Sequence, residues 1–446
     1  MTTSPFLSGN FAPIEEEFTA TDLEVKGELP RELNGRLLRI GPNPVAPVEP
    51  YHWFTGNGMV HGLRLRDGRA EWYRNRYVRD DEVIEAKGWP EVPGPRHGMG
   101  GNTANTNVIS HAGKTWAIVE AGGLPVELTD DLETVTRSDF GGTLQGSFSA
   151  HPKKDPLTGE LHAVTYYWEW DHLKHVVVGT DGRVRRSLEV PVPGGPMVHD
   201  TAITESQVVL FDMPCIFDPG VMEQGGSFPY TWRPDYGTRI GLLPLEGAAD
   251  DVRWFEIDNC YVFHPLNAYD AGNGQVVLDA VRHEKVFDQE TNATEGNPML
   301  TRWTFDLAGG SVKEEQLDDR PIEFPRHDER KLGRKLRYGY ASSFVPSDDE
   351  AVNFTEIIKY DLEAGSSESW KPGKGRAPME AVFVPRSDDS AEDDGFLLSY
   401  VYDAAEDRTD VVVLDAANIT AGPIASVPLP TRVPFGFHGN FVPDEA

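Results

Sequence analysis

The chain has 446 residues, enough for two or three domains or for one closed β architecture. Acidic residues outnumber basic ones 72 to 41, a formal charge of −31 that repels phosphate backbones and anionic lipid; nucleic acid is excluded as a natural partner and strong membrane docking is not expected. Two cysteines, Cys215 and Cys260, cannot build a disulfide framework, and the start "MTTSPFLSGNFAPIEEE" has no signal-peptide pattern, so a cytoplasmic protein is expected.

The predicted elements are short strands. The 44 glycines and 34 prolines favour turns over long helices. "GRLLRIGPNP" opens the series, then "ELHAVTYYWEW", "KHVVVGTDGRVRRSLEV" and "AITESQVVLFD" follow with polar or Asp-Gly turns between them. "RWTFDLAGGSVKEEQL", "IIKYDLEAGSSESW" and "GFLLSYVYDAAEDRTDVVVLDAA" repeat one plan: a strand ending in Asp, a turn, and a return strand. A spacing of roughly 40–60 residues fits four-stranded propeller blades, with a double β-sandwich as the competitor. Pairing of "GRLLRIGPNP" with the late "DVVVLDAA…ASVPLP" region would close the ring. No composition shift marks a boundary, so residues 1–446 are expected to form a single domain. Acidic runs such as "RSDDSAEDDG" and "PSDDE" read as solvated loops.

Of 13 histidines, four share a setting: His151 in "SFSAHPKKD", His199 in "PMVHDTA", His264 in "CYVFHPLN" and His438 in "PFGFHGNF". Each stands where an apolar or small-residue stretch meets a turn. One such residue is more simply a hydrogen-bonded core histidine; four alike point to a shared site. Spacings of 48, 65 and 174 residues rule out a local zinc finger and suit blades that each send one side chain to a common axis. Cys260 shares strand parity with His264, whereas Cys215 has no such partner. His97, His172, His175 and His283 stand among charged or turn residues and are expected to be exposed. His52 and His61, in "YHWFTGNGMVHG", are harder to place.

Four neutral imidazoles suit iron, copper, zinc or nickel. They leave the ion's charge uncancelled, so carboxylates accepting the free ring N–H groups are expected behind them. Glu120 in "WAIVEAGG", Glu323 in "PIEFPRHD" and Glu380 in "APMEAVFVPR" interrupt apolar runs where an unpartnered carboxylate is costly. The bland alternative for each is a strand-edge residue reaching water.

These segments, with "YHWFTGNGMVHGLRLRDGRAEWYRNRYVR", "ANTNVISHAGKTWAIVEAGGLPVEL" and "VPFGFHGNF" in order, resemble the carotenoid cleavage oxygenase family over nearly the whole chain. The resemblance implies an all-β, seven-bladed propeller with a cap of loops and short helices over one face. It implies Fe(II) on the axis, held by His151, His199, His264 and His438, with Glu120, Glu323 and Glu380 as outer carboxylates. Thr106 matches a threonine whose methyl lies beside an open iron position in several members. The implied reaction splits an alkene with O2 into two carbonyl products.

Two departures bear on substrate. Only the short polar link "GVMEQGGS" stands where many carotenoid-cleaving relatives carry a long apolar insertion that dips into membranes. Val119 stands where stilbene-cleaving relatives commonly place a lysine. An apocarotenoid or related conjugated alkene is the expected substrate, with a stilbene, phenylpropenoid or vinylphenol as the alternative. A propeller serving only as a binding module is the reading from another class, and metal content separates it from an enzyme.

Overall fold

The computed structural model describes residues 4–98, 103–289, 295–346 and 352–444. Its strands form the seven blades of a β-propeller, each an antiparallel sheet. Blade 2 contains Asn107–His111, Lys114–Ile118, Val126–Leu128 and Thr134–Arg137. Blade 3 begins at Lys153–Lys154, blade 4 at Ala202–Ile203, blade 5 at Pro265–Gly272 and blade 6 at Ile322–Arg326. In blade 7, Arg376–Pro378 and Val382–Pro385 both pair with Gly395–Asp403, and the sheet ends on Lys26–Gly27. An extra hairpin, Cys215–Phe217 with Tyr230–Trp232, is inserted in blade 4.

Blade 1 closes the ring. Its strand Gly35–Pro42 pairs on one side with Gly58–Arg66 and on the other with Gly439–Pro443, with Arg39 opposite Gly439. This corrects the expected closure: the strand after His438 pairs with "GRLLRIGP", while the late strand Pro423–Pro428 lies between Arg408–Asp415 and Lys26–Gly27. The physical reason is that Arg408–Asp415 already has a partner on each side, leaving it no free edge for the opening strand.

Strands facing neighbouring blades on both sides read as continuous apolar runs. Val208, Val209 and Leu210 are all buried, as are Val411, Val412, Val413 and Leu414. The outermost strand Ser311–Gln316 is mostly exposed and charged, which discourages edge-to-edge pairing. First strands of neighbouring blades adjoin one another around the axis: blade 4 meets 5, 5 meets 6, and the closing strand of blade 1 meets blades 7 and 2.

Short helices sit in the connections, including Trp53–Thr55, Asp81–Lys87 and Pro219–Glu223, the last within the polar link. Asp80 caps the second through a 2.9 Å bond from Val83 N, and Gly88 ends it in the left-handed region. Among the described residues no helix is long and apolar enough to cross a membrane. In the acidic run after Arg386, Ser387, Asp388 and Asp389 are exposed as expected, but Glu392, Asp393 and Asp394 are half-buried and bonded to Arg337 N, Lys359 and Arg386, while most of "PSDDE" lies outside the described residues.

Candidate metal centre

Each inner strand brings one chosen residue to the axis at or beside its start. His151 precedes blade 3, His199 blade 4, His264 blade 5 and His438 the closing strand of blade 1. Thr106 precedes blade 2, Glu323 is the second residue of blade 6, and Glu380 lies between two strands of blade 7. Distances in sequence therefore vanish in space.

The four imidazoles are buried and converge. His151 Nε2 lies 3.0 Å from His199 Nε2; His199 to His264 and His264 to His438 are both 3.1 Å. The far nitrogens face glutamates. His199 Nδ1 lies 2.8 Å from Glu120 Oε1, His264 Nδ1 2.5 Å from Glu323 Oε2, and His438 Nδ1 3.0 Å from Glu380 Oε1. A carboxylate only accepts, so these three rings carry their proton on Nδ1 and turn bare Nε2 lone pairs toward one another. Lone pairs about 3 Å apart repel unless a cation stands between them.

The spacing fits that cation. Two nitrogens each about 2.1 Å from one ion at a right angle are about 3.0 Å apart, whereas a tetrahedral pair is about 3.4 Å apart. The donor set therefore fits an ion with ligands at right angles better than a closed tetrahedral zinc.

Electrostatics keep most of the set neutral. Burial pushes His151 well below the usual imidazole range, reinforced by the other three rings. His264 falls to about 4, burial outweighing Glu323, and His438 is lowered for the same reason despite Glu380. At His199 burial is overcome by the charge and hydrogen bond of Glu120, and the net shift is upward. Burial would raise Glu323 and Glu380, but their partners hold both well below the usual carboxylate range. Glu323 accepts from His264, from His283 Nε2 at 2.6 Å and from Phe324 N at 2.7 Å. Glu380 accepts from His438 and from Gly439 N at 2.8 Å, with Arg326 Nη1 at 3.2 Å. Glu120 is less held; its Oε2 has no partner. His151 has no such glutamate, and Asp200 Oδ2 is 3.5 Å from its Nδ1.

The segment carrying His438 is fixed from both sides. Phe437 N donates to Ile40 O at 2.9 Å, Ile40 N to His438 O at 3.0 Å, and His438 N to Thr106 O at 3.2 Å. The Thr106 hydroxyl donates to Asn105 Oδ1 at 2.8 Å. Gly41 and Gly436 touch here: a Cβ on Gly41 would sit 2.4 Å from Gly436 Cα.

The centre has two unlike surroundings. Phe263 stands edge-on to His199 at 5.3 Å between ring centres, and Phe324 lies 5.2 Å from His438. Phe54 adjoins Phe263 at 6.2 Å and Phe437 at 5.6 Å, extending an aromatic wall away from the histidines. A cavity of about 750 Å³ reaches His151, His264 and His438 and is lined by Phe324 together with the charged Lys153, Asp200 and Arg326.

None of the four histidines expected to be exposed is so. His175 and His283 are fully buried, and His283 bonds to Glu323; His97 and His172 are half-buried. Charged neighbours in a strand mark the opposite face, so "VRHEK" concealed an inward ring. Both cysteines are buried in the apolar core and neither joins the histidine set. Sequence reasoning did not single out Arg326, Asp200 or the aromatic wall; Phe263, one residue before His264, was the available signal.

Four converging imidazoles on the axis of a seven-bladed propeller define a candidate non-haem metal centre. Residues 11–443 match the family described as retinal pigment epithelial membrane protein. A carotenoid cleavage oxygenase of Mycobacterium tuberculosis is 44% identical, the match covering 99% of this chain and 98% of the relative. A carotenoid 9,10(9',10')-cleavage dioxygenase of Crocus sativus is 35% identical over 99% of this chain and 89% of its own. The crystal structure of a lignostilbene dioxygenase from Pseudomonas brassicacearum superposes with a TM-score of 0.90 at 31% identity, covering all of both chains. The chain belongs to the carotenoid cleavage oxygenase family.

Proposed function

We propose that this protein is an Fe(II)-dependent oxygenase that cleaves a carbon–carbon double bond of an apocarotenoid, or a related conjugated alkene, with O2 to give two carbonyl products. The observation that carries the metal role is the convergence of four Nε2 atoms at steps of 3.0–3.1 Å, three of them on rings whose Nδ1 is held by a carboxylate. His151, His199, His264 and His438 hold the iron. Bound there, iron supplies open coordination positions and redox chemistry for activating O2 beside the alkene.

The chain's own residues bind and orient. Glu120, Glu323 and Glu380 fix ring tautomer and direction and raise ligand basicity. Phe54, Phe263 and Phe324 exclude water and hold a flat conjugated chain. Thr106, its hydroxyl committed to Asn105 Oδ1 and its carbonyl to His438 N, would present its methyl beside the bound metal, as the family resemblance implies. The reaction asks for no protein acid or base. We read the seven blades as one domain, because the ligands come from four of them; a cytoplasmic location and weak membrane contact accord with the acidic surface.

A second reading, a stilbene or phenylpropenoid substrate, is supported by the full-length likeness to the lignostilbene dioxygenase. Against it, Val119 beside Glu120 offers a phenolate no charge partner. Aerobic incubation of the iron-loaded protein with apocarotenals and stilbenes, read by mass spectrometry, decides. Aldehyde fragments from apocarotenals are expected; cleavage of stilbenes alone transfers the function to the second reading, and no cleavage of either refutes both.

A further inference from the structure

The aromatic wall contains one group that the metal centre does not use. His52 is 1% exposed, and its ring is packed by Phe6, Phe54, Phe228 and Phe287 at centroid distances of 5.4, 4.9, 5.0 and 5.9 Å. Its Nδ1 accepts from Phe54 N at 3.1 Å, capping the short helix Trp53–Thr55. An accepting Nδ1 in a neutral ring places the proton on Nε2. That Nε2 is buried and has no hydrogen-bond partner. Burial pushes the ring down to about 3, so it remains a neutral donor at physiological pH. A buried donor left unpaired among phenylalanines is costly and needs a reason.

Its position suggests one. Phe54 touches the His52 ring on one side and Phe263 on the other, and Phe263 touches His199. Two aromatic rings thus separate His52 from the metal site, along the surface expected to hold the conjugated chain. We propose that His52 Nε2–H binds the oxygen of a carbonyl several carbons from the cleaved double bond, making His52 a specificity-determining residue for apocarotenals or polyene ketones over oxygen-free polyenes. This rests on the activity proposed above and names the substrate feature that activity selects. The bond would form as the carbonyl enters between the rings, giving the orphaned donor its acceptor and setting which double bond stands over the histidines.

The alternative is purely structural: Nε2–H aimed at the face of Phe6, which meets His52 edge to face. Two substitutions separate the nitrogens. His52→Asn keeps an acceptor for Phe54 N but removes the distal donor; His52→Gln places an amide N–H near the Nε2 position but loses the cap. The readout is the ratio of kcat/KM for an apocarotenal to that for a polyene hydrocarbon of equal length, with thermal unfolding in parallel. His52→Asn is expected to lower that ratio about tenfold while His52→Gln retains most of it, whatever either does to stability. A ratio unmoved by His52→Asn, or lowered equally by both variants, overturns the proposal. Wild-type protein that cleaves neither compound refutes the proposed activity, and this inference with it; cleavage of both with an unmoved ratio refutes only the role of His52.

Discussion

Replacing Glu323 by glutamine tests how the carboxylates support the site. Glu323 takes three donors: His264 Nδ1, His283 Nε2 and Phe324 N, at 2.5, 2.6 and 2.7 Å. An amide oxygen can keep the two that share Oε2, but its NH2 group then faces His283, which must change tautomer. A charge-assisted bond exceeds a neutral one by about 1 kcal/mol, so three weaken by about 3 kcal/mol in total, on the order of hundredfold if the bound ion feels it all. Glu120 accepts one short bond, 2.8 Å from His199, and one long bond, 3.4 Å from the Tyr166 hydroxyl, on the same oxygen, and its other oxygen is unpartnered, so the same change there costs about 1 kcal/mol, or about fivefold. The assay is an anaerobic competition for Fe(II) against a chromophoric chelator, with circular dichroism confirming the fold. Equal losses in Glu120→Gln and Glu323→Gln, or the reverse order, would refute the reasoning from donor counts.

His199→Ala and His438→Ala are each expected to abolish cleavage and strongly lower iron content while circular dichroism stays that of the wild type, since the apolar core does not include the axis; retained iron with full turnover removes that histidine from the ligand set. Gly41→Ala forces a methyl onto the Gly436 backbone and is expected to destabilise by about 1–3 kcal/mol and to weaken iron binding through His438; unchanged unfolding and iron content would show that the contact yields freely. Burial holds His52, His61 and His175 down at about 3, and unfolding returns them to about 6.5, so the unfolded chain binds more protons between those values. Stability is then full above pH 6.5 and falls through that window; urea midpoints should drop from pH 7.5 to 6 to 5, and a flat series contradicts the assignment.

What the sequence made legible follows from where chemistry interrupts pattern. His151, His199, His264 and His438 stand at the ends of apolar stretches, and Glu120, Glu323 and Glu380 put charge where charge is expensive, so each was visible from its immediate neighbours. Blade-like strand pairs such as Met299–Asp306 with Ser311–Gln316 were visible because an Asp-and-Gly turn separates two β-rich runs. His283 escaped because its partner, Glu323, is 40 residues away on another blade and Arg282 beside it points the other way. Ring closure was misplaced because Gly439–Pro443 is five residues long, with a glycine and a proline at its ends, and carries little strand signal of its own.

That brief strand also orders events in time. Pairing it with Gly35–Pro42 joins segments about 400 residues apart, the kind of long-range contact whose loop-closure entropy makes it form late. Three imidazoles come from consecutive blades and can gather once those blades have stacked; the fourth arrives only with the seam. A metal ion meeting the chain before then finds an unfinished binding set and is held loosely. Capture of the ion thereby reports that the circle has shut, and the bound ion in turn resists its reopening, because any breathing at the seam pulls a ligand away.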